Sequence, residues 1–211
     1  MYCTDTDLLR WEPMIAAEAA FASQTLLTSA AGLSGTTLTI GAGSLTASRV
    51  RAGHVAVLSG PINGCFPIIR VDSASALTLS VMHEGLPDEL APVGDASSDL
   101  TVSIRTFGPQ RQIVSELLTW MAGIAPGSTS ASVTNADVLR KPCVLGTLHM
   151  IYNGMAAAAD TDESADLLVR AELYERLYRR SLRSISVEID TNGDGVADTR
   201  RPLRLVQFAR I

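Results

Sequence analysis

Between Gly32 and Arg105 the apolar residues of this chain recur at every second position, whereas on either side of that stretch they recur at every third or fourth. A period of two belongs to strands with one buried face and a period near 3.6 to amphipathic helices, so the chain must combine both. The short runs TTLTI, GHVAVLS, CFPIIRV, ALTLSVM and LTVSIRT read as strands. The spacing gives the inward-facing sets Leu38 with Ile40, Val55 with Val57, Leu77 with Leu79 and Val81, and Leu100 with Val102 and Ile104. Turn signals fall at Pro61-Ile-Asn-Gly64 and Asp72-Ser-Ala-Ser75. Short strands at this density suit a small antiparallel barrel or sandwich. Residues 83–99, rich in Pro, Gly and Asp, read as a loop, and Asp88, Glu89, Asp95 and Asp99 as its solvated charge.

Helical patterns flank this region. Thr4 or Thr6 caps a short first turn, and Pro13 opens a longer helix expected to reach about Leu27, with Met14, Ile15, Ala19, Phe21, Ala22 and Leu26 as its core face and Trp11 packing at the break. Gly108-Pro109 opens a second helix that Gly123 closes; its apolar stripe of Ile113, Val114, Leu117, Leu118, Trp120 and Met121 is wide. After a Gly/Ser/Thr-rich link at 125–132, Thr134 to Asp137 resembles a capping box, and Pro142 is expected to kink or break the helix it starts. Val144, Leu148, Ile151 and Met155 form the next seam, with Gly146, Gly154 and Ala156 to Ala159 keeping that helix slim. The last helix, from Thr161 to Ile185, has a seam of Leu167, Ala171, Tyr174, Tyr178 and Ile185, widened by Leu168, Leu177 and Leu182. Acidic residues lie in its first turns and Arg179, Arg180 and Arg183 in its last, complementing the helix dipole. The expected fold is therefore α+β: a bundle of about four helices from residues 1–31 and 106–185, a β domain inserted at 32–105, and a C-terminal β-hairpin arm at 186–211.

The turn of that hairpin, DTNGDGVAD, places Asp190, Asn192, Asp194 and Asp198 at positions 1, 3, 5 and 9 of a calcium-loop pattern, and Val196 could add a carbonyl at position 7. Position 12, a bidentate Glu in an EF-hand, is Arg201. The nine residues are similar to the calcium loops between strands of integrin-type propellers. They equally suit a polar turn in which Asn-Gly and Asp-Gly supply positive φ values. Calcium is thus a possible structural ion and no cofactor is required.

The 211 residues are 18% charged against about 25% in typical domains, and the net charge is −5. So charge-poor a chain is expected to cover much of its surface in an assembly, and its acidity argues against general nucleic-acid binding. No apolar run reaches the ~18 residues a membrane helix needs and the N-terminus lacks a signal-peptide pattern, so a cytosolic product is expected. Cys3, Cys65 and Cys143 are far apart in sequence and odd in number, which favours free thiols over a disulfide or zinc site. His54, His83 and His149 have no partner spacing that suggests chemistry, and no Ser-His-Asp, HExxH or P-loop signature is present, so no enzymatic role is expected.

Four stretches, TDTDLLRWEP, FGPQRQIVSELLTWMAGI, LGTLHMIYNGMAAAA and RAELYERLYRRSLRSI, together with the closing hairpin, resemble the head-to-tail adaptor (head completion) proteins of tailed bacteriophages. The resemblance implies a structural virion protein of the neck, made in the host cytoplasm. It implies a ring, usually of twelve copies, bound under the portal protein and receiving a stopper or tail protein on its other face, with no membrane and at most transient contact with passing DNA. The portal-binding segment would be the hairpin and tail, with Arg200, Arg201, Leu203, Arg204, Val206, Phe208 and Arg210 as contact residues. A calcium-stabilised monomeric binding module is the alternative.

Overall fold

The computed structural model describes residues 1–83, 89–125, 127, 128 and 130–203, with Thr161 and Asp162 described by their backbone alone. The chain is mixed α+β and divides into two units, Thr4–Phe107 and Met1–Cys3 with Gly108–Ile211. Among the described residues no helix is long and apolar enough to cross a membrane.

The first unit is built on a closed antiparallel barrel. Its strands are β1 (Thr25–Ser34), β2 (Thr37–Ile40), β3 (Val55–Ser59), β4 (Gly64–Val71), β5 (Ala76–Leu79) and β6 (Ser97–Arg105), in the order β1-β2-β5-β4-β3-β6 with β6 returning to β1. Closure leaves no edge strand to be protected. The interior holds Leu33, Leu38, Ile40, Leu58, Ile68, Leu77, Leu79, Leu100, Val102 and Ile104. On β3 the inward residues are Ala56 and Leu58 rather than Val55 and Val57. Val55 is buried outside the barrel cluster, on the strand that α2 contacts, so a strand covered on both faces hid its register from the alternation. Val81, beyond the end of β5, is exposed.

The long helix expected from Pro13 to Leu27 is absent. After α1 (Asp5–Leu9), capped by Thr4 with Asp7 in a capping box, there are only α2 (Ile15–Glu18) and a 3-10 turn at Ala22–Gln24 before β1 begins. Pairing decides against helix here: β1 is bonded to β6 from Thr25↔Arg105 onward, and the ladder outweighs the helix propensity of its alanines and leucines. Met14, expected in the core, is exposed. The buried Asp5 carboxylate accepts from Thr106 Oγ1 at 2.7 Å and Phe107 N at 3.1 Å, joining the start of this unit to its end.

In the second unit, α3 (Gly108–Met121), α4 (Arg140–Ala158) and α5 (Thr161–Leu182) accompany a three-stranded sheet, β7 (Ser132–Val133), β8 (Ser186–Asp190) and β9 (Thr199–Pro202), in that order. Both α3 and α5 pack on α4. Pro142 neither kinks nor breaks α4; it lies in its first turn, where no intrahelical acceptor awaits its missing N–H. The expected helix start at Thr134 is instead an edge contact of the sheet: Thr134 N donates to the Glu188 carbonyl, while Asn135 accepts from Glu188 N at 2.8 Å and donates to the Ser186 carbonyl. A 3-10 turn at Ala136–Leu139 follows.

Every residue of α4 from Pro142 to Leu148 is buried, so its first turns are covered on all sides. Gly146 makes this possible. A Cβ there would lie 2.9 Å from Val114 Cγ1 on α3 and 3.2 Å from the Tyr178 ring on α5. Further along, Tyr152 stacks on Tyr174 with centroids 5.6 Å apart. His149 Nδ1 donates to the Ala171 carbonyl at 3.0 Å, an ordinary interhelical bond. Replacing Gly146 by Ala gains about 1 kcal/mol of helix propensity, but Val114 is buried and branched at Cβ and cannot swing aside, so overpacking costing about 1–3 kcal/mol dominates. Gly146→Ala is therefore expected to lower the urea midpoint.

Candidate partner-binding surface

The residues predicted for partner contact separate into three environments. Arg200 stands opposite Glu188 in the β8–β9 ladder, and its Nε donates to Ser186 Oγ at 3.0 Å. Arg201 extends its guanidinium across Gly123, which closes α3 at φ +84°; a cation there faces the negative end of the helix. Leu203 is only 1% exposed and its amide donates to the Ile185 carbonyl, so it anchors the strand inside the chain and offers no surface to a partner. Arg204, Val206, Phe208 and Arg210 lie outside the described residues.

The Asp190–Asp198 loop is closed by its own amides. Asp190 Oδ1 accepts from Asn192 N and Gly193 N, at 3.0 and 2.7 Å, and Oδ2 from Gly195 N at 2.8 Å. Asn192 Oδ1 and Asp194 Oδ1 each accept from the amide two residues ahead, and Asp198 Oδ2 accepts from Thr191 N and Oγ1. Gly193 and Gly195 have φ near +84° and +83°, as the turn reading requires. Val196 is exposed at the tip. Among the described residues no three His, Cys, Asp or Glu side chains converge as metal ligands.

These bonds favour ionised carboxylates. The Gly193 and Gly195 amides hold Asp190 below the usual carboxylate range, and the Thr191 hydroxyl and amide do the same for Asp198.

A surface that the sequence pattern concealed lies on the helices. Of the α3 stripe, Val114 and Leu118 are buried, but Ile113 and Leu117 are 45% exposed and Trp120 is 65% exposed. Spaced by four and three residues, these three form one outward row. A second apolar group, Leu168, Val169 and Leu173, is exposed on α5, where Leu168 had been expected to widen the buried seam. The clue was the width of the α3 stripe, which exceeds what one neighbouring helix covers. No family model, curated protein or solved structure matches the chain.

Depressed carboxylate pKa values in the folded loop mean that its stabilisation is complete above the unfolded value of about 3.9 and is lost as pH falls through the folded values. Acidification below about pH 4 should thus loosen the hairpin. The protection of the Gly193 and Gly195 amides, their exchange rate by NMR relative to an unfolded chain at the same pH, is expected to fall in that window, and Asp190→Ala to remove it at neutral pH.

Proposed function

We propose that this chain is a structural adaptor subunit of a tailed-bacteriophage virion, forming a ring in the neck between the portal and a stopper or tail protein. The observation that carries the reading is the pair of distinct outward apolar faces, on α3 and α5, within one unit. A closed ring uses a heterologous contact in which one patch of each subunit meets a different patch of the next, so each copy needs two. A chain with only 18% charged residues and two such faces has the makings of that contact.

Magnitudes agree. Fully burying a large apolar side chain contributes about 1.5–3 kcal/mol, and roughly half of that remains to be gained by residues already half covered. Two rows of such side chains reach the lower part of the about 4–15 kcal/mol that association costs. In this reading the helices α3, α4 and α5 form the bundle from which the ring is made. Arg200 and Arg201 shape the hairpin, and contact with the portal falls to Arg204, Val206, Phe208 and Arg210. The subunit is made in the host cytoplasm and ends in the virion.

Trp120→Lys places a charge in the proposed contact, of the sign that the C-terminal turn of α3 favours, while changing a residue already mostly in water, so fold stability should shift by no more than about 0.5 kcal/mol. Size-exclusion chromatography with light scattering is expected to give a ring for the wild type and monomers for the variant, with matching melting temperatures. Wild-type protein that remains monomeric at high concentration, without binding a portal ring, contradicts the reading.

A further inference from the structure

Two of the three cysteines, separated by most of the sequence, meet inside the second unit. Cys3 Sγ and Cys143 Sγ lie 2.7 Å apart, both buried and both thiols. That separation is too long for a disulfide, whose bond is about 2.05 Å, yet it leaves no room for another atom between them. Arg111, itself buried, donates from Nη1 to the Cys3 carbonyl at 2.9 Å, and Ser115 Oγ is 3.5 Å from Cys143 Sγ. Tyr2 N donates to Ser115 Oγ at 3.2 Å and Tyr2 hydroxyl pairs with Thr119 at 2.8 Å, so the N-terminal residues are strapped along α3 with Cys3 aimed at α4.

We infer that Cys3 and Cys143 form a reversible redox site, oxidised to a disulfide by exchange with a small-molecule disulfide of the glutathione type. The surroundings distinguish the two sulfurs. Cys143 occupies the first turns of α4, where the helix dipole favours a thiolate. The Cys3 thiol, the Ser115 hydroxyl and the Arg111 charge lower its pKa to about 7, while the same pairing raises that of Cys3. Cys143 is therefore the attacking sulfur. Its thiolate displaces one thiolate from the small disulfide, which takes up the proton Cys143 released, leaving a mixed disulfide. Cys3, losing its proton, then attacks Cys143 Sγ and expels the second small thiol. Two protein thiols are oxidised by two electrons and one small disulfide is reduced to two thiols. Access requires local opening of the N-terminal residues: Met1 is 73% exposed, and Tyr2, next to Cys3, and Ser115, 3.5 Å from Cys143 Sγ, line a cavity of about 710 Å³.

The bond would close a covalent loop from residue 3 to residue 143, within which the whole Thr4–Phe107 unit is inserted. So long a loop loses much unfolded-state entropy, and for a chain of this size the melting temperature should rise by on the order of 10 °C.

The full chain is incubated in reduced and oxidised glutathione over a range of ratios, quenched with acid, freed of glutathione, labelled with a maleimide in denaturant near neutral pH and read by intact mass and peptide mapping. Expected is the loss of two of the three labelling sites, a peptide pair joining Cys3 to Cys143, Cys65 still labelled, and the higher melting temperature, all reversed by dithiothreitol. Cys65→Ser should behave as the wild type, and Cys3→Ser should stop at a glutathione adduct on Cys143. The inference is overturned if all three thiols label in fully oxidised glutathione, if the wild type accumulates the adduct without the crosslink, or if the crosslinked chain melts no higher than the reduced one. None of these outcomes depends on ring assembly.

Discussion

The second unit depends on one constraint: α4 is buried on every side of its first turns and must therefore be slim. Gly146 sets the approach of both flanking helices, because Val114 and Tyr178 occupy the space its side chain would take. With the inner faces of α3 and α5 turned to α4, apolar residues on their outer faces remain exposed. The apolar residues on those faces, Trp120 and Val169 above all, are the unsatisfied part of an otherwise closed packing scheme. Burial of α4 and exposure of two apolar rows are in this sense one fact.

The first unit solves a different problem. A stretch of short strands exposes edges that invite pairing with other chains, and closing the sheet between β6 and β1 removes them. The buried Asp5 bonds to Thr106 and Phe107, so the chain enters and leaves this unit at one place. Such an arrangement suits a unit inserted between Cys3 and Gly108, a span that a bond between Cys3 and Cys143 would enclose.

Much of this was legible in the residues, and the failures have identifiable causes. The strands β2 to β6, though not the register of β3, the closing glycine of α3 and the slim seam of α4 follow from periodicity, positive-φ glycine and the small residues around Gly146. The strand β1 was hidden because TLLTSAAGLS has no clean alternation and its alanines favour helix; only its ladder with β6 decides the matter. Pro142 misled because a proline marks a helix's first turn as readily as its end. Strand β7, only Ser132 and Val133, carries no pattern at all. The width of the α3 stripe hinted at an exposed row without saying which of its residues it would hold, and the Cys3–Cys143 contact was not readable, since both depend on which elements become neighbours. In the hairpin loop the sequence left ion and turn open, and the amides of Gly193 and Gly195 on Asp190 are what the fold adds.

In the proposed ring the outer faces of α3 and α5 meet between copies of this chain, and the ring docks on a portal. An electron cryomicroscopy map of the protein bound to a portal ring tests it most directly. The map is expected to show a closed ring in which Ile113, Leu117 and Trp120 of each copy pack against Leu168, Val169 and Leu173 of the next. A map in which these faces remain in solvent, or in which the copies meet through the barrel alone, would contradict it.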